Sequence, residues 1–201
     1  GGQTVDTGLL ASSDGSKKFR VMDVKVTKGF VLHMGVMEEG SLQVGGNVGP
    51  ENLTCLVDYE RRHLVQPNHS MTHVVNYALR KVLLGGVNEE AEREGKMKQE
   101  GSDNDDRRLR FDFAWDEPLT AAQLAEVESI CAEAIAGKLQ IYAQEAPLDK
   151  AREIHGLRAV FGETYPDPVR VVSVGRKVED LLAQPKDTKW ADYSVEFCGG
   201  T

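Results

Sequence analysis

The stretch QPNHSMTHVVNYALRKVL, residues 66–83, separates a run of short β-type segments from a region where helices and strands mix. Its spacing predicts a helix from about Asn68. Pro67 cannot continue a preceding helix, and the Asn68 side chain can cap the exposed N–H groups of a first turn. At about 100° per residue, Met71, Val74, Val75, Ala78, Leu79, Val82 and Leu83 fall on one face. His69 and His73 fall on another, with Asn76, Tyr77 and Arg80 beside them. That phase speaks against core histidines and leaves two readings open: surface side chains, or a pair of metal ligands.

Upstream, within residues 17–60, KKFRVMDVKV, GFVLHMGVM, SLQVGGNV and NLTCLVDYE are short runs divided by glycine-bearing turns. Several strands so closely spaced predict a small barrel or sandwich. His33, in FVLHMG, reads as a hydrogen-bonded sheet histidine. Downstream, residues 85–108 are polar, glycine-bearing and dense in acid, which predicts a solvated loop. RLRFDFAW alternates basic with aromatic residues, as a strand with Leu109, Phe111 and Phe113 on one face would. Such interleaving can bind single-stranded nucleic acid, but core packing by the aromatics is the plainer reading.

Thr120 caps a helix predicted to run to about Gln144, and PLDKAREIHG predicts a shorter helix ending at Gly156. PVRVVSVG reads as a strand, KVEDLLAQ as a short helix and WADYSVEF as a final strand. No regular βαβ rhythm links them. The expected fold class is therefore α+β: a small N-terminal β-barrel over residues 1–60, then a two-layer α+β domain with a largely antiparallel sheet over residues 61–201.

The bulk properties narrow the function. The chain has 201 residues, 40% of them hydrophobic, and a formal net charge of −8. No apolar run approaches the roughly 18–20 residues that span a bilayer, and no charged-then-apolar leader opens the chain. The beginning GGQTVDTG and the end CGGT read as places where a longer protein has been cut. The negative charge excludes a large nucleic-acid footprint, because neutralising phosphates takes a basic stripe. It does not exclude handling the tip of a nucleic acid. Three cysteines far apart, an odd number, suit a reducing compartment better than a disulfide scaffold. Cys55, in LTCLV, and Cys131, in VESICAEAIAG, read as buried small side chains.

Cys198 sits differently, at the end of the strand DYSVEF with Gly199 and Gly200 behind it. Glycines there permit a sharp turn and the close approach of a ligand. Histidines at i and i+4 project the same way from one helical turn and can share an ion, and thiolate plus imidazole suits Zn²⁺. Spacing alone makes this a weak signal.

HSMTH followed about 125 residues later by FCGGT, with RRHLVQPN before and RLRFDF between, resembles the editing domain of alanyl-tRNA synthetase. The opening GGQTVDTG is similar to the end of that family's Gly-Gly-Gln stretch in the preceding small β domain. Threonyl-tRNA synthetases share the two-histidine motif and a related cysteine motif, but the Gly-Gly-Thr after Cys198, the RLRFDF strand and the expected N-terminal barrel favour the alanyl side. APLDKAREIHGLRAVFGETYPDPVRVVSVG looks eukaryotic.

The resemblance implies an ester hydrolase that clears seryl- or glycyl-tRNA(Ala) within an alanine–tRNA ligase. It puts His69, His73 and Cys198 on three of the family's four zinc positions, as metal-binding and catalytic residues. The fourth position is a histidine four residues after the cysteine, beyond Thr201. Gln3 matches a glutamine that lines the editing pocket. The implied partners are the tRNA(Ala) acceptor end carrying a wrong amino acid and the remaining synthetase domains, with no membrane. The implied location is cytoplasmic, with a mitochondrial or plastid form also compatible. Two rival readings share the motifs: a free-standing trans-editing deacylase, and a non-catalytic RNA-binding module whose zinc only staples the fold.

Overall fold

A computed structural model describes residues 2–49, 52–87, 94, 96–159 and 164–200 of the chain. Four strands come first: β1 (Gly8–Ser12), β2 (Lys18–Thr27), β3 (Phe30–Glu39) and β4 (Leu53–Val57). Helix α1 (Tyr59–Leu84) follows, then β5 (Gln99–Asn104), β6 (Leu109–Phe113), α2 (Ala121–Ala136) and β7 (Ile141–Ala146). A single-turn helix α3 (Leu148–Ala151), β8 (Val169–Val174), α4 (Val178–Ala183), a 3₁₀ turn at Thr188–Asp192 and β9 (Ser194–Phe197) complete the order. Helices and antiparallel sheets in this arrangement make an α+β fold.

The chain divides into two compact units. One comprises Thr4–Gln66 and Asp105–Arg107, the other Gly1–Gln3, Pro67–Asn104 and Arg108–Thr201. In the first, the strands form one antiparallel sheet in the order β3-β2-β1-β4. The expected barrel is corrected here, because β3 and β4 remain the sheet's two edges and do not pair. Strand twist accumulates by only about 20–25° per neighbour, and four strands at that rate do not meet. The sheet is thin as well: Val21, at 6% exposure, is the buried strand residue among those described. Cys55 on β4 is exposed rather than buried, and His33 on β3, opposite Val24, faces solvent.

Helix α1 starts well before Asn68. Its cap is Asp58, whose Oδ1 accepts the Arg61 N–H at 3.1 Å, the spacing of a side-chain N-cap. Pro67 lies inside the helix. It removes one donor, a defect worth about 3 kcal/mol in isolation, yet the helix runs through it for 26 residues in all.

In the second unit, β8 is the middle strand of the antiparallel sheet β7-β8-β9. Its VRVVSV sequence is β-branched, and five of its six residues are buried, as expected of a strand covered on both faces. Val169, Val171, Leu181, Trp190 and Val195 belong to the core around it, with Tyr165 and Phe197 packed at the margin.

Two further expectations change. The helix capped by Thr120 does form, with a reciprocal capping box to Gln123, but it ends at Ala136 with Gly137 as its C-cap. Residues 141–146 instead pair with Val169–Val174 as a strand. The acidic stretch 85–108 holds β5, which pairs with β6. Met97 and Asn104 within it are each 1% exposed. Residues 88–93 and 95 of that stretch, and 160–163 further on, lie outside the described residues.

Candidate metal centre

The site gathers three distant segments of the second unit. From α1 come His69 and His73, each 8% exposed, on a stripe with Thr72, Asn76 and Arg80 that is buried despite its polarity. One turn of helix separates the histidines and sets their rings 5.4 Å apart between centroids, tilted by 43°. The sequence reading placed them off the apolar face. They are off it, yet they face protein rather than water.

From the end of β9 comes Cys198. Its backbone N–H donates to the Arg170 carbonyl on β8 at 3.2 Å. Arg170 Nη1 in turn donates to the carbonyls of Cys198, at 2.9 Å, and of Gly200, at 2.7 Å. The Gly200 N–H points back at Cys198 Sγ, 3.3 Å away. This turn tolerates no side chain at Gly200, where a Cβ would collide with the His69 ring. Nε2 of His69 lies 3.2 Å from Cys198 Sγ. One ligand atom from each of His69, His73 and Cys198 fits within a mutual distance of 4.8 Å.

From the N-terminal segment comes Gln3, whose Oε1 makes a short contact with Nδ1 of His69. Gln3 also bridges to Asn104 of β5, and the Asn104 N–H donates to the Gly2 carbonyl at 2.6 Å. All four residues singled out from the sequence thus meet at one place.

Sequence reasoning missed the layer behind them. Glu196 accepts from His73 Nδ1 at 2.8 Å and from Asn76 Nδ2 at 2.5 Å. Arg158 Nη1 then donates to Asn76 Oδ1 at 2.9 Å. The signal was present: Glu196 and Cys198 are two apart on a strand and share a face. Asn76 and Arg80 continue the histidine stripe by helical spacing.

The charges follow from this packing. Burial opposes ionisation of Cys198, yet hydrogen bonding to His69 and His73 and the positive charge of His73 bring its thiol down to about 5. Burial likewise opposes charge on His73, but hydrogen bonds to Cys198 and Glu196 and the two negative charges raise it to about 10. Glu196 is buried, which favours its neutral form. The hydrogen bond and charge of His73, with Arg158 and Asn76, nevertheless hold it below the usual glutamate range. At neutral pH the cluster is thiolate, imidazolium and carboxylate in a row. A cation seated at Nε2 of His73 displaces the proton held there.

Two imidazoles and a thiolate are a donor set for a borderline-soft divalent cation. The chain aligns end to end with part of a known enzyme. It is 46% identical over 201 residues to the alanine–tRNA ligase of Candida albicans, covering all of this chain and 19% of that protein. It is 44% identical over 201 residues to the mitochondrial alanine–tRNA ligase of Saccharomyces cerevisiae, and 46% identical over 204 residues to the cytoplasmic enzyme of Dictyostelium discoideum. The chain is homologous to a segment of alanine–tRNA ligase. It spans about a fifth of the length of these ligases. No family model matches it. Among the described residues, no helix is long and apolar enough to cross a membrane.

Proposed function

We propose that this chain is the editing part of an alanine–tRNA ligase, hydrolysing the ester of seryl- or glycyl-tRNA(Ala) at a zinc centre held by His69, His73 and Cys198. The carrying observation is the convergence of those three side chains from a helix and a strand end, in a chain that aligns along its whole length with alanine–tRNA ligases. The proposed partners are the acceptor end of the mischarged tRNA and the rest of the ligase. The proposed location follows the cytoplasmic and mitochondrial relatives.

The residues fit the ion. The Cys198 thiol already favours its thiolate form at neutral pH, and both histidines are held through Nδ1 with Nε2 on the Cys198 side. When bound, zinc supplies a Lewis acid that polarises a water or fixes the substrate's amino or hydroxyl group. The chain's own contribution is orientation. Arg170 and Gly200 fix the Cys198 turn, and the buried stripe of α1 fixes the histidines.

Rejecting serine needs such a second site. An apolar pocket built for alanine discriminates against one added hydroxyl by only about a hundredfold. A polar site can require that hydroxyl, which alanine lacks. Gln3 is the residue proposed to line it.

A structural ion is the competing reading, and the low exposure of both histidines favours it. Cys198→Ala separates the two. Loss of seryl-tRNA(Ala) hydrolysis by a variant that stays folded, with wild-type circular dichroism, supports the catalytic centre. Unfolding of the variant supports an ion that only staples the fold.

A further inference from the structure

We propose that Gln3 and Glu196 are paired positioning residues, each holding one histidine by Nδ1 so that Nε2 of both is left for the metal. The inference deepens the zinc reading and rests on it.

The geometry is parallel at the two rings. Nδ1 of His69 meets Oε1 of Gln3, and Nδ1 of His73 meets Oε2 of Glu196 at 2.8 Å. An amide oxygen can only accept a hydrogen bond, so Nδ1 of His69 is the donor to Gln3. At His73 the Glu196 side chain serves as an acceptor, its Oε1 taking the Asn76 amide N–H and its Oε2 facing Nδ1, so Nδ1 is the donor there as well. The nitrogen left to bind a cation is then Nε2, which on His69 already lies 3.2 Å from Cys198 Sγ. A metal-binding imidazole is generally fixed by such a partner on its other nitrogen. Here the partners come from opposite ends of the chain, one neutral and one charged.

Each partner is itself held. Gln3 bridges to Asn104 on β5, so its reach to His69 is set by backbone pairing. Glu196 stands on β9, on the face it shares with Cys198, so one short strand delivers a ligand and the holder of another ligand. Its second oxygen accepts from Asn76 at 2.5 Å, and Asn76 is fixed by Arg158 at 2.9 Å. A glutamine at 196 would offer a single acceptor to the two donors that Glu196 now satisfies. A leucine at 3 would offer none to His69, whereas a glutamate there would keep the acceptor.

The test is the zinc affinity of the folded chain, by competition with a chromophoric chelator, for wild type, Gln3→Leu, Gln3→Glu and Glu196→Gln. Imidazole ¹⁵N spectra of the zinc-loaded protein accompany it. The expected result is a loss of about ten- to a hundredfold for Gln3→Leu and Glu196→Gln, with Gln3→Glu near wild type. Both histidines should show a protonated Nδ1 and a metal-bound Nε2. Folded Gln3→Leu and Glu196→Gln variants with wild-type affinity would overturn the proposal, as would zinc on Nδ1 of either ring. If Glu196→Gln does not fold, the two Gln3 variants carry the test. A wild-type chain that takes up no zinc would overturn the metal reading, and this inference with it, before any substitution is made.

Discussion

Nδ1 of His73 and Oε2 of Glu196 meet at 2.8 Å with both residues buried, joining positions 123 apart in sequence. The pair fastens the middle of α1 to β9. Truncating one member of such a pair strands the other, together with Asn76 and Arg158. Glu196→Ala is expected to lower the unfolding free energy by about 3–5 kcal/mol, the usual cost of leaving a buried charge uncompensated. Urea titration of the metal-free chain measures it. A loss within the range of an ordinary surface substitution would mean that the contact carries no weight.

The same cluster sets a pH profile for the metal-free fold. Cys198 has its thiol lowered to about 5, so its contribution grows with pH from there up to its ordinary value near 9. His73 is raised to about 10, so its contribution is complete below 6.5 and fades as pH climbs toward 10. Between about 6.5 and 9 the native and unfolded chains differ by opposite protons at the two sites, and the slopes cancel. Stability from this pair should be flat across that window and should fall on either side. Denaturant midpoints at closely spaced pH values check the shape. A steady slope through neutrality would show that the two groups are not paired.

The cysteines should also differ in reactivity. The thiolate is the nucleophile, and at pH 7 Cys198 is held in that form, whereas burial pushes the Cys131 thiol up. Iodoacetamide at neutral pH is expected to label Cys198 well ahead of Cys131, read by peptide mass spectrometry. Under the proposed function, added zinc should suppress labelling at 198 and leave the other cysteines unaffected.

Much of the fold was legible locally. The capping box at Thr120, the β-branched run at 169–174 and the alternation at 109–113 each name their element within a few residues. What failed depended on partners elsewhere. Pro67 alone reads as a barrier, whereas the helix is already capped at Asp58, about two and a half turns upstream. The apolar spacing that ends at Leu139 carries the expected helix on to about Gln144, and only pairing with β8 makes residues 141–146 a strand. The four early strands promised closure, but closure is a property of strand number and twist that no single strand encodes.

At the site, the helical phase put His69 and His73 on one face. Their burial could not be read from that phase, because a polar stripe is normally a wet one. Here the stripe is covered by β9, which brings Glu196 to it. Gln3 came only through a family motif, since nothing local marks a residue so near the start of the chain as a neighbour of His69.

The most direct test of the account is release of serine from seryl-tRNA(Ala) by this chain, with and without a zinc chelator, and with alanyl-tRNA(Ala) as control. Serine is expected to be released, the chelator to stop the release and added zinc to restore it, while alanyl-tRNA(Ala) is spared. Release that is indifferent to the chelator, or equal for the two aminoacyl-tRNAs, would contradict the account.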